Sequence, residues 1–273
     1  MTALRSSLAD VVARHAVLRT TLRLGPRGPV QHIAPPFVVE IPVVDLSEMA
    51  RDEMDARCQA VLSEHARAPF DLARGPLIRA VLVRLETTRS VLLVTTHHVV
   101  TDGWSQDVFE RELAACYEAR LRGEEPRLPA LELQYADYAV WQTDGRDPEQ
   151  GKKLDYWLNN LAAPLPVLEL PTTEQRGPRA PTEGATARID VEADVVDRLA
   201  ALGRRDGATL FMVLVAAYAT LLHRVAGQDE VVIGTPIANR NHGQTMELIG
   251  YFANTLALRI DLSGAPTFRE LVR

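Results

Sequence analysis

Residues 91–105 read Val-Leu-Leu-Val-Thr-Thr-His-His-Val-Val-Thr-Asp-Gly-Trp-Ser, and no other stretch limits the possible folds as tightly. The aliphatic, β-branched run at 91–94 predicts a buried strand that leads straight into His97 and His98. From 106 to 122, apolar residues at Val108, Phe109, Leu113, Cys116, Tyr117 and Leu121 keep helical spacing. Asp102 then stands where a helix N-cap belongs, with Gly103 giving the backbone room to turn. On an extended chain, neighbouring side chains point to opposite faces, so only one of the two histidines can face a substrate. The same geometry argues against a two-histidine zinc site, and no metal is expected.

His97-His98-Val99-Val100-Thr101-Asp102-Gly103 resembles the HHxxxDG signature of the condensation domains of non-ribosomal peptide synthetases. Wax-ester synthases, plant acyltransferases and chloramphenicol-type acetyltransferases carry relatives of that signature. Three further segments lie in the order the condensation family requires. Arg14-His15-Ala16-Val17-Leu18-Arg19-Thr20 resembles its RHxxLRT motif, and Tyr135-Ala136-Asp137-Tyr138-Ala139-Val140-Trp141-Gln142 its YxDYAVWQ motif. Gly234-Thr235-Pro236-Ile237-Ala238-Asn239-Arg240 and Ile249-Gly250-Tyr251-Phe252-Ala253-Asn254-Thr255-Leu256 resemble its GxPxANR and IGxFxNTL elements.

The resemblance implies an α+β fold of two chloramphenicol-acetyltransferase-like lobes, layered sandwiches meeting in a V with a tunnel between them. It covers this chain but only part of the family's domain, so truncation at both ends and an incomplete second lobe are expected. The lobes are read at 1–162 and 185–273, with a Pro-rich connector at 163–184 that holds Pro164, Pro166, Pro171, Pro178 and Pro181. The implied reaction joins an upstream carrier-bound acyl or peptidyl thioester to the amine of a downstream carrier-bound aminoacyl thioester. The implied partners are those two peptidyl carrier domains and an adjacent adenylation domain. No cofactor is expected on the chain itself, because the substrates arrive on phosphopantetheine arms.

By resemblance the catalytic residue is His98, as general base or as a positioning and electrostatic group. An imidazole with an ordinary pKa near 6.5 takes up and releases protons at cellular pH. Gly103, at a helix start, can turn a backbone N–H toward an oxyanion, or else serves only the turn. Asn254 either hydrogen-bonds near the tunnel or faces the core at a strand start. Asp102 could orient His98 in the manner of a triad. The resemblance implies instead a structural ion pair with Arg19, Arg240 or Arg259, and a structural role for His97. Trp104, Tyr138 and Trp141 read as packing residues, and His15, His65 and His223 as helical residues without a catalytic role. Two other readings stand beside condensation: an epimerisation domain of the same fold, and a non-catalytic docking or recruitment remnant.

Thirty basic against thirty-six acidic residues give a net charge of −6, which with few aromatics and no basic stripe speaks against nucleic-acid binding. Cys58 and Cys116 fall in helical, partly apolar patterns and read as reduced packing residues. The apolar run at 210–222 is too short to span a bilayer and the first residues lack a signal-peptide pattern, so no membrane association and a cytoplasmic location are expected.

Further elements follow from periodicity and punctuation. Helices are predicted from Leu4, Leu8, Val11 and Val12, and over 48–67 with Ser47 as cap, 131–143, 149–161, 193–205 and 210–225. Strands are predicted over 18–24, ended by Gly25-Pro26-Arg27-Gly28-Pro29, and over 37–44, 77–85, 187–191, 230–235 and 254–260.

Overall fold

The computed structural model describes residues 1–26, 28–144, 149–171 and 186–273. They form two compact units, Met1–Asp147 with Ile237–Asn254, and Pro148–Pro236 with Thr255–Arg273. Ile237–Asn254, which carries the ANR and IGYF residues, therefore belongs with the His-bearing unit and not with the rest of the second half. Of the connector read at 163–184, residues 172–184 lie outside the described residues.

The first unit opens with helix α1 (Thr2–Arg14), whose Leu8, Val11 and Val12 are buried as their spacing predicts. A short 3-10 turn, Ala16–Arg19, leads into strands β1 (Thr20–Gly25) and β2 (Gly28–Ile33), an antiparallel pair in which Gly25 faces Gly28. The Gly-Pro cluster read as a strand end is thus a hairpin turn. Gly28, at φ 115°, has a backbone conformation that side chains rarely adopt. Of the strand predicted over 37–44, only β3 (Val43–Asp45) forms a ladder, with Pro35, Pro36 and Pro42 denying N–H donors to the approach. Helix α2 is Arg51–Arg67 and is not capped by Ser47. The Ser47 N–H and hydroxyl both donate to Asp45 Oδ1, at 3.1 and 2.6 Å, so the side chain closes a turn and the helix starts later. Strands β4 (Ile78–Arg84) and β5 (Ser90–Thr96), then helices α3 (Gly103–Leu121) and α4 (Tyr135–Thr143), complete the unit.

Strand β4 lies at the centre of a three-stranded sheet ordered β3-β4-β5, parallel to β3 and antiparallel to β5. The period-2 alternation of its side chains builds two cores. Ile78 and Ala80 face a cluster with Leu8, Val12, Leu18, Val108 and Cys116 from the α1 and α3 side, and Leu92 and Val94 of β5 pack there too. Val81 and Val83 face Met54, Cys58 and Val61 of α2, joined by Val91 and Leu93. With both faces covered, the strand is apolar without interruption from Ala80 to Val83, and each fully buried Val, Leu or Ile stabilises by about 1.5–3 kcal/mol. Both cysteines are free, buried members of these cores, and burial pushes the Cys116 thiol up to about 11.

The second unit holds helices α5 (Gln150–Asn160), α6 (Ala193–Arg205) and α7 (Leu210–Ala226), the paired strands β6 (Glu230–Ile237) and β7 (Asn254–Asp261), and helix α8 (Phe268–Val272). One face of α7 buries Val213 and Ala216 near Val272, and Ala219 and Leu222 near Val231 and Leu262. Its opposite face, with Leu214, Tyr218 and Leu221, is about half exposed. The strand predicted over 187–191 does not form: Ile189 and Val191 are exposed, in a segment without a pairing strand among the described residues. The fold is α+β, and among the described residues no single helix is long and apolar enough to cross a membrane.

Candidate active site

Strand β5 ends at Thr96, one residue before the histidine pair. His97 and His98 therefore lie in a turn, and strand alternation does not sort them. The turn is closed by Val100 N–H donating to His97 O at 3.0 Å and Thr101 N–H to His98 O at 3.4 Å. His97 turns inward: its N–H donates to Leu77 O at 3.0 Å, its Nδ1 accepts from Val99 N–H at 3.1 Å, and its ring meets Phe70 edge-on at 6.0 Å. His98 is exposed, and its ring packs at 5.2 Å and 85° against Tyr251.

Asp102 caps α3, as its place in the sequence predicts, with Ser105 N–H donating to Oδ1 at 2.9 Å. The rest of its carboxylate is just as occupied. Oδ1 also accepts from the Ser105 hydroxyl at 2.7 Å and from Arg240 Nη2 at 3.2 Å, while Oδ2 accepts the N–H groups of Phe252 at 3.0 Å and Ala253 at 3.2 Å. Of the three arginines considered, Arg240 is the partner, and both side chains of the pair are 1% exposed. Arg19 Nη1 donates instead to Ala34 O at 2.5 Å. Arg259, in the second unit, pairs with Glu230 and donates to Asn160 O and Ala162 O, each at 3.1 Å.

Arg240 is held from several directions. It donates to Leu248 O at 2.8 Å, to Thr245 O and to Ser105 Oγ at 2.9 Å, and its guanidinium lies 4.1 Å from the centre of the Phe252 ring. Ser105 is a node that the sequence reading missed. Its Oγ accepts from Gly250 N–H at 3.0 Å, and its single proton lies within reach of Asp102 Oδ1 and, at 2.8 Å, of Gly250 O. Burial pushes the Asp102 carboxyl up, but the Ser105 and Phe252 hydrogen bonds and the Arg240 charge outweigh it, leaving it below the ordinary aspartate value.

The RHxxLRT residues serve a second buried cluster. His15 lies just past the end of α1, not within it, and is 1% exposed. Ile249 N–H approaches its Nδ1 at 3.4 Å, so Nε2 carries the proton toward Glu112 Oε2 at 2.7 Å. Arg14 Nε adds a bond to Glu112 at 3.0 Å. Glu112 was absent from the residues singled out in the sequence, yet it lies four residues from both Val108 and Cys116, a single charge on the apolar stripe of α3 and so placed to be buried with it. Burial raises its carboxyl too, and His15 and Arg14 more than reverse this.

Both depressed carboxylates make stability fall in acid. A folded pKa below the unfolded one contributes stability in full above the unfolded value, about 3.9 for Asp and 4.3 for Glu, and that contribution is lost as pH falls toward the folded value. The melting temperature is expected to be level near neutrality and to drop below about pH 4, with the drop blunted in Asp102→Asn and Glu112→Gln. Thermal melts between pH 3 and 7 measure this, and curves that overlay for wild type and both variants would contradict it.

The YxDYAVWQ residues hold the same region. Asp137 Oδ2 accepts from Gln134 N–H at 2.8 Å at the start of α4, which therefore begins at Tyr135 and not at 131. Tyr138 is buried against Phe252 at 4.7 Å; Trp141 packs on Tyr138 at 5.8 Å and His242 at 5.0 Å, and the Trp104 indole N–H donates to Met246 O at 2.9 Å, so both tryptophans pack on one side while 44% and 42% exposed. Gly250 needs its missing side chain: a Cβ there would overlap Tyr135 Cδ2 and lie 2.8 Å from Tyr135 Cγ. Gly250→Ala is expected to cost about 1–3 kcal/mol in denaturant unfolding. An unchanged midpoint would show that the Tyr135 ring can move aside.

Gly103 differs. Its φ is ordinary and a Cβ at this position would meet nothing within 4 Å, so neither the turn nor packing requires glycine, contrary to the reading that it gives the turn room. Asn254 starts β7 and is exposed, not core-facing.

A family model described as the condensation domain matches residues 1–273. The chain belongs to the condensation-domain family. The domain is 45% identical over 270 residues to a linear gramicidin synthase of Brevibacillus parabrevis, covering 97% of this chain and 3% of that protein. It is 39% identical over 264 residues to a phosphinothricin tripeptide synthetase of Streptomyces viridochromogenes, covering 97% of this chain and 22% of that protein. Among solved structures, the X-domain from teicoplanin biosynthesis superposes with a TM-score of 0.88 at 34% identity, covering 99% of this chain and 60% of that one. An epimerization domain of tyrocidine synthetase superposes with a TM-score of 0.86 at 21% identity, which shows a shared fold and no more. The domain thus spans a small part of the curated relatives it matches and about three fifths of those solved chains.

Proposed function

We propose that this condensation domain forms an amide bond between two carrier-bound thioesters, with His98 as the group that handles the proton. The observation that carries this reading is the contrast within the motif. His98 is exposed at the exit of a rigid strand, while Asp102 beside it is buried and fully engaged. A buried, saturated carboxylate suits scaffolding, and an exposed imidazole suits proton transfer.

In the proposed reaction, the acceptor amine attacks the donor thioester carbonyl, a C–N bond forms, and the carbonyl oxygen carries negative charge. The nitrogen loses a proton to His98 Nε2 or Nδ1, the C–S bond breaks, and that proton returns to the departing thiolate. The donor thiol and the new amide stay on their separate phosphopantetheine arms, which enter as parts of the substrates. General-base assistance accounts for roughly 10²–10⁴-fold, so alignment of the two arms must supply much of the rest. Asp102 contributes through structure, since its oxygens are committed to Ser105, Arg240, Phe252 and Ala253. The proposed partners are an upstream and a downstream carrier domain and an adjacent adenylation domain, on the pattern of synthetase relatives.

The free space at Gly103 supports a role at the reacting oxygen. Gly103 is the first residue of α3, where backbone N–H groups lack helical partners. Gly103→Ala is expected to melt like wild type and to lose about tenfold in transfer rate, because a methyl group would occupy substrate space. A wild-type rate would leave Gly103 without a role in the chemistry.

A docking module is the second reading, favoured by the likeness to the teicoplanin X-domain, whose complex with OxyB superposes with a TM-score of 0.87 at 34% identity. Mass spectrometry of both carriers after mixing with the natural full-length protein, with chiral chromatography of the donor residue released by hydrolysis and a pull-down of each carrier, separates the readings. Condensation predicts the donor acyl mass added to the acceptor arm and a free thiol on the donor arm. Inversion of the donor residue without transfer would favour epimerisation, and binding without either change would favour docking.

A further inference from the structure

We infer that Tyr251 is a positioning residue for His98, and that the buried Asp102–Arg240 pair reaches the imidazole through it. This rests on the reading of His98 as the proton-handling group. An exposed histidine at the end of a strand has free side-chain rotation unless something packs against it, and Tyr251 does so at 5.2 Å, nearly perpendicular.

The backbone that carries Tyr251 is fixed at every step. Gly250 N–H donates to Ser105 Oγ at 3.0 Å, Tyr251 O accepts the Tyr135 hydroxyl at 2.9 Å, and the N–H groups of Phe252 and Ala253 donate to Asp102 Oδ2 at 3.0 and 3.2 Å. Phe252, next in the chain, is 2% exposed and clamped by Tyr135 at 5.1 Å and Tyr138 at 4.7 Å. Tyr251 alone in this strap presents a large side chain outward, at 45% exposure. Asp102 thus fixes the strap, the strap fixes the Tyr251 ring, and the ring limits the orientations open to His98. The aspartate of the HHxxxDG run serves the histidine without a hydrogen bond to it. The contact is made by the ring, so phenylalanine can replace tyrosine.

Two measurements test this separately from the reading of His98. In the 273-residue chain with labelled histidine, NMR is expected to show cross-relaxation between the His98 ring protons and the Tyr251 ring, with ring-current displacement of the His98 signals. Both should persist in Tyr251→Phe and vanish in Tyr251→Ala. His98 signals that are the same in wild type and Tyr251→Ala would overturn the inference. In the natural full-length protein, Tyr251→Ala is expected to lower kcat about tenfold with KM within about twofold, and Tyr251→Phe to restore the rate. A His98→Ala variant is run beside them. If it keeps full activity, the reading of His98 fails whatever Tyr251 does. If it is inactive while Tyr251→Ala turns over normally, the positioning inference alone is overturned.

Discussion

Asp102→Ala is expected to yield poorly soluble protein, or protein destabilised by about 3–5 kcal/mol, the usual cost of stranding one partner of a buried ion pair. The substitution removes the acceptor for Arg240, for the Ser105 N–H and for the Phe252 and Ala253 N–H groups at once. Arg240 retains the Leu248 and Thr245 carbonyls, but its charge, on a side chain 1% exposed, is left uncompensated. The Ile237–Asn254 segment is tied to the start of α3 partly through these bonds, beside those of Ser105 to Gly250 and of the Trp104 indole N–H to Met246 O, so its loosening should accompany unfolding, visible as early hydrogen exchange at Phe252 and Ala253. Ser105→Ala, which removes one hydroxyl and leaves the charge pair, should cost less, about 1–2 kcal/mol. An Asp102→Ala protein that melts like wild type and fails only in turnover would instead favour a triad-like aspartate.

The local plan of the site was legible because its cues are local. An aliphatic run, a cap residue and a 3.6-residue period fix β5, Asp102 and α3 within a few residues of one another. Thr267 followed by Glu270, which cap α8 through reciprocal bonds of 2.8 and 3.3 Å, was an equally local cue that the reading passed over. Ser47 misled because its side chain has two uses, a helix cap or a turn, and Asp45 two residues earlier selects the turn. The hairpin of β1 and β2 was hidden because Gly and Pro mark a reversal without saying whether a partner strand follows. Long-range choices were out of reach. Arg19, Arg240 and Arg259 look alike in the sequence, and only the folded chain brings Arg240 across 138 positions to Asp102. Tyr251 likewise holds the variable place in its motif, with nothing nearby in sequence to connect it with His98.

His98→Ala is expected to cut amide formation by about 10²–10⁴-fold, the range for losing a general base, while changing stability by no more than about 0.5 kcal/mol, as for an exposed side chain away from any cap or core. His97→Ala should show the reverse balance. It loses the acceptor for Val99 N–H and the edge contact with Phe70, so about 1 kcal/mol of stability should go with only a small change in rate. The pair separates chemistry from structure within two adjacent residues of one motif. The most direct test is therefore the initial rate of acceptor-arm amide formation by His98→Ala in the natural full-length protein, measured on samples whose melting temperature matches wild type. A rate at least a hundredfold lower agrees with His98 as the proton-handling group, about the low end of the general-base range; a rate within a few-fold of wild type would contradict it.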